Sequence, residues 1–301
     1  MITNFDQVIE NVKANGMKTV AVAVAQDEPV LEAIRDAKKN GIANAILVGD
    51  LEKIKESAEI VGLDLKDFEV INEPDNAKAS LKAVELVSSK KADMVMKGLV
   101  DTATFLRAVL DKEKGLRTGR VLSHVAVFDI PALNRIILVT DAAMNIAPDL
   151  MTKKQILENA VVVAKGIGME LPKVAVVCAV EVVNPDMQPT LDAAALSKMC
   201  ERGQIKGCIV DGPLAIDNAI SEEAAKHKGI KSPVAGNADI ILVPNIETGN
   251  VMYKTLTYTA NAKNGGILAG ASAPVILTSR ADSHESKMYS IALASLVASN
   301  K

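Results

Sequence analysis

Short runs of branched aliphatic residues alternate with amphipathic stretches along this 301-residue chain. This alternation constrains the fold most strongly, because repeated strand–helix units bury their strands in a mostly parallel sheet with helices on both faces. The spacing predicts strands at residues 20–24, 45–48, 68–71, 93–96, 125–128, 136–140, 174–178, 208–211, 240–243 and 275–278. It predicts helices at residues 28–39, 76–88, 152–165, 190–200 and 250–262, and from about residues 51 and 285.

The order of these elements suggests two domains. The strands at 125–128 and 136–140 are close in sequence, which predicts an antiparallel pair. A second series of strand–helix units begins after the loop at 141–148. The length of the chain also favours two domains. No Pro/Gly/Ser-rich linker separates the two series, so we place the boundary near residue 145.

Composition excludes several classes of partner. A net charge of -3, with three Tyr, four Phe and no Trp, gives no reason to expect nucleic acid or an anionic membrane. Cys178, Cys200 and Cys208 form no CxxC pair, which favours a reducing compartment. The first ten residues lack the basic and apolar pattern of a signal peptide, and no apolar run approaches the ~20 residues of a membrane span. We expect a cytoplasmic protein.

The most distinctive stretch joins the last predicted strand to the last helix. Ser279 and Arg280 fall in the turn between them, where free backbone N–H groups and the helix dipole favour an anion. A guanidinium beside a hydroxyl suits a phosphate, because its planar fork binds two oxygens at once. Asp282 followed by Glu285 resembles a capping box at the start of the helix. From these residues alone, a phosphate site and a capped surface turn both stay open.

A second polar loop follows an earlier strand. Lys97 and Gly98 come directly after the strand at 93–96, and Thr102 and Arg107 follow within the next turns. Ligands of open α/β sheets bind at the carboxyl ends of the strands, which is where this loop lies. Arg107 could equally be a solvated helix residue.

A third loop, at residues 244–250, follows another strand in the same way. Gly249 permits close backbone approach there, although helix capping by Asn250 explains part of the pattern. The histidines His124, His227 and His284 are too scattered to form a metal site. Only His284, beside the turn at 279–280, is a candidate for function.

Taken together, these stretches resemble the phosphate acetyl/butyryltransferase family. The resemblance covers essentially the whole chain and is carried by residues 96–107, 211–214, 232–236, 244–254 and 278–280. It implies two three-layer α/β domains with mostly parallel sheets, of the isocitrate/isopropylmalate dehydrogenase-like type, with the active site in the cleft between them. The expected domains are residues 1–145 with 268–301, and residues 146–267.

The resemblance also implies an activity. Members of the family transfer a short-chain acyl group reversibly between coenzyme A and inorganic phosphate, and the members that this sequence most resembles transfer butyryl. Coenzyme A is then a substrate, and no metal or other cofactor is needed. The expected partners are acyl-CoA, phosphate and further copies of the chain in a homo-oligomer. Acetyl transfer and non-catalytic metabolite binding on the same fold stay open. A decarboxylating dehydrogenase would need clustered aspartates and a nucleotide site, which the sequence lacks.

Individual roles follow from the same resemblance. Ser279 matches the family serine near the reacting thiol and phosphate, Arg280 the arginine that binds the acyl phosphate, and Arg107 an arginine associated with substrate binding. The other expected substrate-binding residues are Lys97, Thr102, Glu247, Asn250, Asp282 and His284. Some acetyltransferase members carry an aspartate, proposed as the base for the thiol, seven positions after the serine. Here that position is Ser286, so the resemblance identifies no base.

Overall fold

A computed structural model describes residues 2–279 and 282–299 of the chain. Its strands are β1 (Lys18–Ala23), β2 (Ala43–Gly49), β3 (Glu69–Asn72), β4 (Met94–Lys97), β5 (Ser123–Ile130), β6 (Arg135–Thr140), β7 (Lys173–Val177), β8 (Ile209–Leu214), β9 (Ile240–Leu242), β10 (Lys263–Ala269) and β11 (Val275–Ile276). Its α-helices are α1 (Phe5–Asn15), α2 (Glu28–Lys39), α3 (Leu51–Val61), α4 (Asn76–Ser88), α5 (Thr102–Val109), α6 (Leu150–Gly166), α7 (Gln188–Glu201), α8 (Ile216–Ile220), α9 (Glu222–His227), α10 (Ile246–Thr259) and α11 (His284–Ser299).

One compact unit combines Phe5–Arg120 with the C-terminal segment from Gly265, and we call it the N-terminal unit. Its strands lie in the order β3-β2-β1-β4-β11-β10. All neighbours are parallel except β10, which runs antiparallel to β11. Because β4 lies between β1 and β11, the carboxyl ends of these three parallel strands meet at one edge of the sheet.

Helix α11 is fixed in this unit by burial on all its faces. Ile291, Leu293, Leu296 and their neighbours are at most a few per cent exposed. A helix that is apolar all round belongs in a core, and each fully buried side chain of this size contributes about 1.5–3 kcal/mol. The ring of Tyr289 also stacks on Phe5 of α1, with 4.3 Å between centroids. The turn that leads into α11 is therefore held at the end of a rigid element.

The second compact unit contains Val121–Asn264, and we call it the central unit. Its strands lie in the order β5-β6-β9-β7-β8. Strands β5 and β6 form an antiparallel pair, and the remaining neighbours are parallel. Phe128, Val139 and Ile241 are buried in its core, where the ring of Tyr253 meets Phe128 edge-on at 5.3 Å.

The predicted α/β class with mostly parallel strands is confirmed, as is the antiparallel pair. Several predicted boundaries differ from the observed ones, and two of them lie near the candidate site. Helix α10 begins at Ile246, not at residue 250, because Asn245 caps it by accepting the Thr248 N–H at 3.0 Å. Strand β11 ends at Ile276, two residues earlier than predicted.

The compact units change over at Arg120–Val121 and Asn264–Gly265, whereas the predicted domain boundaries lie near residues 145 and 267. The first change-over precedes β5 because β5 pairs with β6, and β6 with β9. The assignment of domains stays a prediction. In the part of the chain that the structure describes, no helix is long and apolar enough to cross a membrane.

Candidate active site

A cavity of about 340 Å³ opens in the N-terminal unit, and we call it the strand-end pocket. Its wall includes Gln26, Lys97, Gly98, Thr278, Ser279 and Lys287. Register explains why residues so distant in sequence meet here. Ala23 of β1 lies opposite Lys97, and Ile276 of β11 lies opposite Met96. The pocket therefore lies at the carboxyl ends of three parallel strands, the position at which open α/β sheets bind ligands.

Lys97 closes strand β4 and is only 7% exposed. Its Nζ donates to the carbonyl oxygens of Gly98 and Val100, each at 3.1 Å. Gly98 is packed so closely that a Cβ there would lie 2.2 Å from the carbonyl oxygen of Val24. The predicted order of strand, loop and helix is confirmed, but Lys97 is the last residue of the strand and only Gly98 lies in the loop. The absence of a side chain at Gly98 lets the loop fold back and leaves the Lys97 amine at the pocket wall.

The turn between β11 and α11 is closed by Asp282. The Ser279 N–H donates to Asp282 Oδ2 at 2.7 Å, and the Asp282 N–H donates back to the Ser279 carbonyl at 3.2 Å. The predicted capping box of Asp282 and Glu285 is therefore wrong. Ser283 is the cap, because its Oγ accepts the Ser286 N–H at 3.1 Å while the Asp282 carboxylate is turned to Ser279. Arg280 lies outside the described residues.

Lys287, in the first turns of α11, was not predicted as a site residue. It is 3% exposed, and its Nζ donates to the carbonyl oxygens of Asp282 at 2.6 Å and Ser279 at 3.2 Å. Burial lowers the pKa of this amine, and the nearby charges of Asp282 and Asp27 oppose that shift. The signal in the sequence was a lysine at helical spacing from Ile291 within an otherwise apolar stripe.

Gln26, which follows β1, was also missed. Its side chain is 8% exposed, and its Oε1 has no hydrogen-bond partner among the residues that the structure describes. Buried polar atoms are nearly always paired. The Oε1 atom itself lies against Gly49, where an added Cβ would be 2.2 Å from it.

The structure places Thr102 and Arg107 on α5, in the same unit but outside the wall of the pocket. Both are exposed. The Arg107 guanidinium bonds its own helix, donating to the Ala103 carbonyl at 3.4 Å and to Thr104 Oγ1 at 3.3 Å. Asp101 caps this helix, and the backbone N–H of Thr104 holds the pKa of the Asp101 carboxyl below its ordinary value.

His284 begins α11 but is not among the residues of the pocket wall. Its Nδ1 lies 3.6 Å from Glu32 Oε2 on α2, and both side chains are partly exposed. The structure therefore brings Lys97, Ser279 and Asp282 together at or beside the pocket, and it does not bring His284 into the wall.

Glu247 and Asn250 lie in the central unit, exposed on the first turns of α10. Asn250 Nδ2 donates to the Ala142 carbonyl at 3.5 Å. Gly249 lets α10 approach this backbone, since a Cβ there would lie 2.6 Å from the Asp141 carbonyl oxygen. The loop after β6 is itself organised by Asp141, whose carboxylate accepts the N–H groups of residues 143, 144 and 145.

The chemistry of the strand-end pocket is that of an anion site. Two buried amines, from Lys97 and Lys287, and the hydroxyl of Ser279 line one cavity. The acidic side chains in the wall, Asp27 and Glu28, are more exposed, so solvent screens their charges more effectively. Among the described residues no cluster of three His, Cys, Asp or Glu side chains could hold a metal ion.

Comparison with known proteins bears directly on the family. The family described as phosphate acetyl/butaryl transferase matches residues 4–80 and 73–295. The phosphate butyryltransferase of Clostridium acetobutylicum is 67% identical over 301 residues, covering 100% of both chains. The phosphate acetyltransferase of Thermotoga maritima is 46% identical over 293 residues, covering 97% of this chain and 99% of its own.

Among solved structures, a branched-chain phosphotransacylase from Enterococcus faecalis V583 superposes with a TM-score of 0.83. It is 36% identical, and the match covers 94% of this chain and 99% of that one. Such neighbours have the dehydrogenase-like α/β fold that the sequence resemblance implied. The resemblance drawn from the polar loops is therefore confirmed over nearly the whole chain, and this protein belongs to the phosphate acetyl/butyryltransferase family.

Proposed function

We propose that this protein transfers a butyryl group reversibly between coenzyme A and inorganic phosphate. Butyryl-CoA and phosphate give butyryl phosphate and free coenzyme A. The observation that carries this proposal is the 67% identity, over the full length of both chains, to a phosphate butyryltransferase. The 46% identity to a phosphate acetyltransferase makes acetyl transfer the second candidate.

The reaction needs no covalent intermediate with the protein. The sulfur of the coenzyme A thiolate attacks the carbonyl carbon of butyryl phosphate, the C–S bond forms, and the C–O bond to phosphate breaks. Phosphate leaves with the bonding electron pair, and the thiol proton passes to solvent. We propose that Arg280 holds the phosphate and that the Ser279 hydroxyl donates to the developing oxyanion. The buried amine of Lys97 adds positive charge at the same wall.

Magnitudes indicate which of these contributions matter most. A thiol of pKa ~8.5 is roughly 3% thiolate at pH 7, so complete ionisation would contribute only about 2 kcal/mol. One preorganised donor on the oxyanion is worth about 2.7–4 kcal/mol. Holding the two substrates together contributes roughly 7–11 kcal/mol. Positioning and charge stabilisation dominate, so a serine at position 286 is compatible with turnover.

The other predicted contacts remain part of the proposal. Asp282 acts by shaping the Ser279 turn, and His284 contributes at the start of α11. Thr102 and Arg107 on α5, with Glu247 and Asn250 on α10, bind the more distant parts of acyl-CoA. These four side chains are exposed, which leaves them accessible to a long, polar substrate.

We also propose that the protein acts in the cytoplasm, as a homo-oligomer that needs no metal or redox cofactor. The cysteine spacing supports the compartment. Exposed apolar side chains of the central unit support self-association; they are Val182, Val183, Val251 and Tyr258. Light scattering coupled to size exclusion measures the assembly, and a monomeric mass would contradict it.

The acyl-transfer proposal is tested by following free thiol when phosphate is added to butyryl-CoA and the purified protein. We expect phosphate-dependent release of coenzyme A. Because each methylene in an apolar pocket is worth about 1–3 kcal/mol, kcat/KM for butyryl-CoA should exceed that for acetyl-CoA at least about tenfold. A preference for acetyl-CoA would make the protein a phosphate acetyltransferase. No release with either thioester would leave a non-catalytic binding protein.

A further inference from the structure

Lys287, like Lys97, is a buried lysine whose amine donates to main-chain carbonyls. The two carbonyls that it reaches belong to Ser279 and Asp282, the two ends of the turn before α11. The same turn is closed from the other side by the Asp282 carboxylate, which accepts the Ser279 N–H. Lys287 and Asp282 thus clamp both ends of the segment that carries Ser279.

Packing does not explain a lysine at this position. Tyr289 and Ile291, which follow Lys287 in α11, are buried, and a methionine of similar length would fill the same space without a charge to desolvate. Burying an ammonium is costly unless it is paired, and a buried charge is weak evidence for stability. The lowered pKa of Lys287, caused mainly by burial, is consistent with that cost.

The amine also belongs to the wall of the strand-end pocket. An ammonium carries three N–H donors. Among the described residues, two of them are accepted by the carbonyls of Ser279 and Asp282. The third remains for the cavity that Lys287 lines together with Lys97. The two carboxylates whose charges act on Lys287 already have other partners. Asp27 caps helix α2, and Asp282 accepts the Ser279 N–H.

We propose that Lys287 is a catalytic residue for acyl transfer, which holds the Ser279 turn at the strand-end pocket and directs one charged N–H to the substrate bound there. The inference rests on the proposed function, since it assigns a role within that reaction. The ligand group that meets this N–H is an anionic oxygen, either of the phosphoryl group or of the tetrahedral intermediate.

Lys287→Met tests the role while keeping the length of the side chain. If Lys287 acts on the transition state, kcat with butyryl phosphate and coenzyme A should fall at least about 30-fold, whereas KM for coenzyme A should stay within about threefold. The melting temperature should stay at or above that of the wild type, because no charge is buried. Lys82→Met, on the exposed face of α4, is the matched control and should change neither constant. A Lys287→Met enzyme with wild-type kcat overturns the proposal.

Chemical rescue separates charge from packing. Lys287→Ala leaves a space that propylammonium can enter, and 1-propanol has a similar size without the charge. We expect propylammonium to raise the kcat of Lys287→Ala at least about tenfold and 1-propanol to leave it unchanged. Only propylammonium supplies charged N–H donors. Equal rescue by both, or rescue by neither, overturns the proposal. Wild-type protein is assayed alongside: its failure to transfer butyryl would refute the proposed function itself, independently of Lys287.

Discussion

Gly98→Ala tests how the strand-end pocket is built. Gly98 follows β4, and a Cβ on it would lie 2.2 Å from the carbonyl oxygen of Val24 and 2.8 Å from that of Ala23. Both atoms are main chain, so no side chain can rotate out of the way. The same residues hold the loop, since the N–H groups of Gly98 and Leu99 donate to those carbonyls, each at 2.8 Å. The added methyl group must therefore push β4 away from the residues that follow β1.

The magnitude follows from three contributions. Overpacking costs about 1–3 kcal/mol, and weakening two backbone hydrogen bonds adds up to about 2 kcal/mol. Alanine also lowers the conformational entropy of the unfolded chain, which offsets about 0.4–1 kcal/mol of the loss in stability. We expect a net loss of about 2 kcal/mol, and at most about 4–5 kcal/mol, in the free energy of unfolding. Because Lys97 precedes Gly98 and its amine bonds the Gly98 carbonyl, kcat/KM for butyryl phosphate should fall as well.

Urea denaturation followed by circular dichroism measures the stability, and the transfer assay measures the activity. Gly41→Ala is the control, because Gly41 has φ +69° but nothing within 4 Å of an added Cβ. It should cost about 1–2 kcal/mol from backbone strain and leave kcat/KM unchanged. If Gly98→Ala had wild-type stability and activity, the close contact between Gly98 and the carbonyls of Ala23 and Val24 would be refuted.

Three further predictions follow from the chemistry of the site. Arg280→Gln should lower kcat/KM for butyryl phosphate by about 2–4 kcal/mol with an unchanged circular dichroism spectrum. Arg280→Lys should recover only part of the lost kcat/KM, because an ammonium cannot bind two phosphate oxygens as a planar guanidinium does. Wild-type kinetics in both variants would contradict this. Burial raises the pKa of Cys178 to about 11 and of Cys208 to about 12. Iodoacetamide at pH 8 should therefore leave activity intact. Rapid inactivation with the label located by mass spectrometry at either thiol would contradict this. Prolonged EDTA treatment should not reduce turnover, and a loss that a divalent ion restores would argue for a metal site.

Local patterns in the sequence predicted the elements that carry the pocket. Strand β4, the loop at Lys97 and helix α5 follow from apolar runs and a glycine, and the turn at Ser279 follows from a short strand before an apolar helix. These signals are local because burial periodicity and turn chemistry are properties of neighbouring residues. The pairing of β4 with β11 joins Met96 to Ile276, and no local pattern encodes that register.

The errors in the sequence-based reading have physical causes. Strand β8 runs to Leu214, whereas the prediction ended it at residue 211, before Gly212 and Pro213. Gly212 permits the strand to approach β7 closely, since a Cβ there would lie 2.8 Å from the Val176 carbonyl oxygen. Lys287 follows the polar residues Glu285 and Ser286 at the start of α11, and no role was predicted for it from the sequence. Its role depends on two carbonyls of the preceding turn, whose orientation only the folded chain reveals.

We propose that the strand-end pocket with Ser279 is the site of acyl transfer. The most direct measurement is kcat/KM for butyryl phosphate and coenzyme A in Ser279→Ala, compared with Ser88→Ala. Ser88 is exposed, as Ser279 is, but it lies at the end of α4, outside the pocket wall, where its hydroxyl donates to the Lys114 carbonyl at 2.8 Å. Removing one oxyanion donor should cost Ser279→Ala about 10²–10³ in kcat, whereas Ser88→Ala should stay within about threefold of the wild type. Equal activity in the two variants would contradict the account.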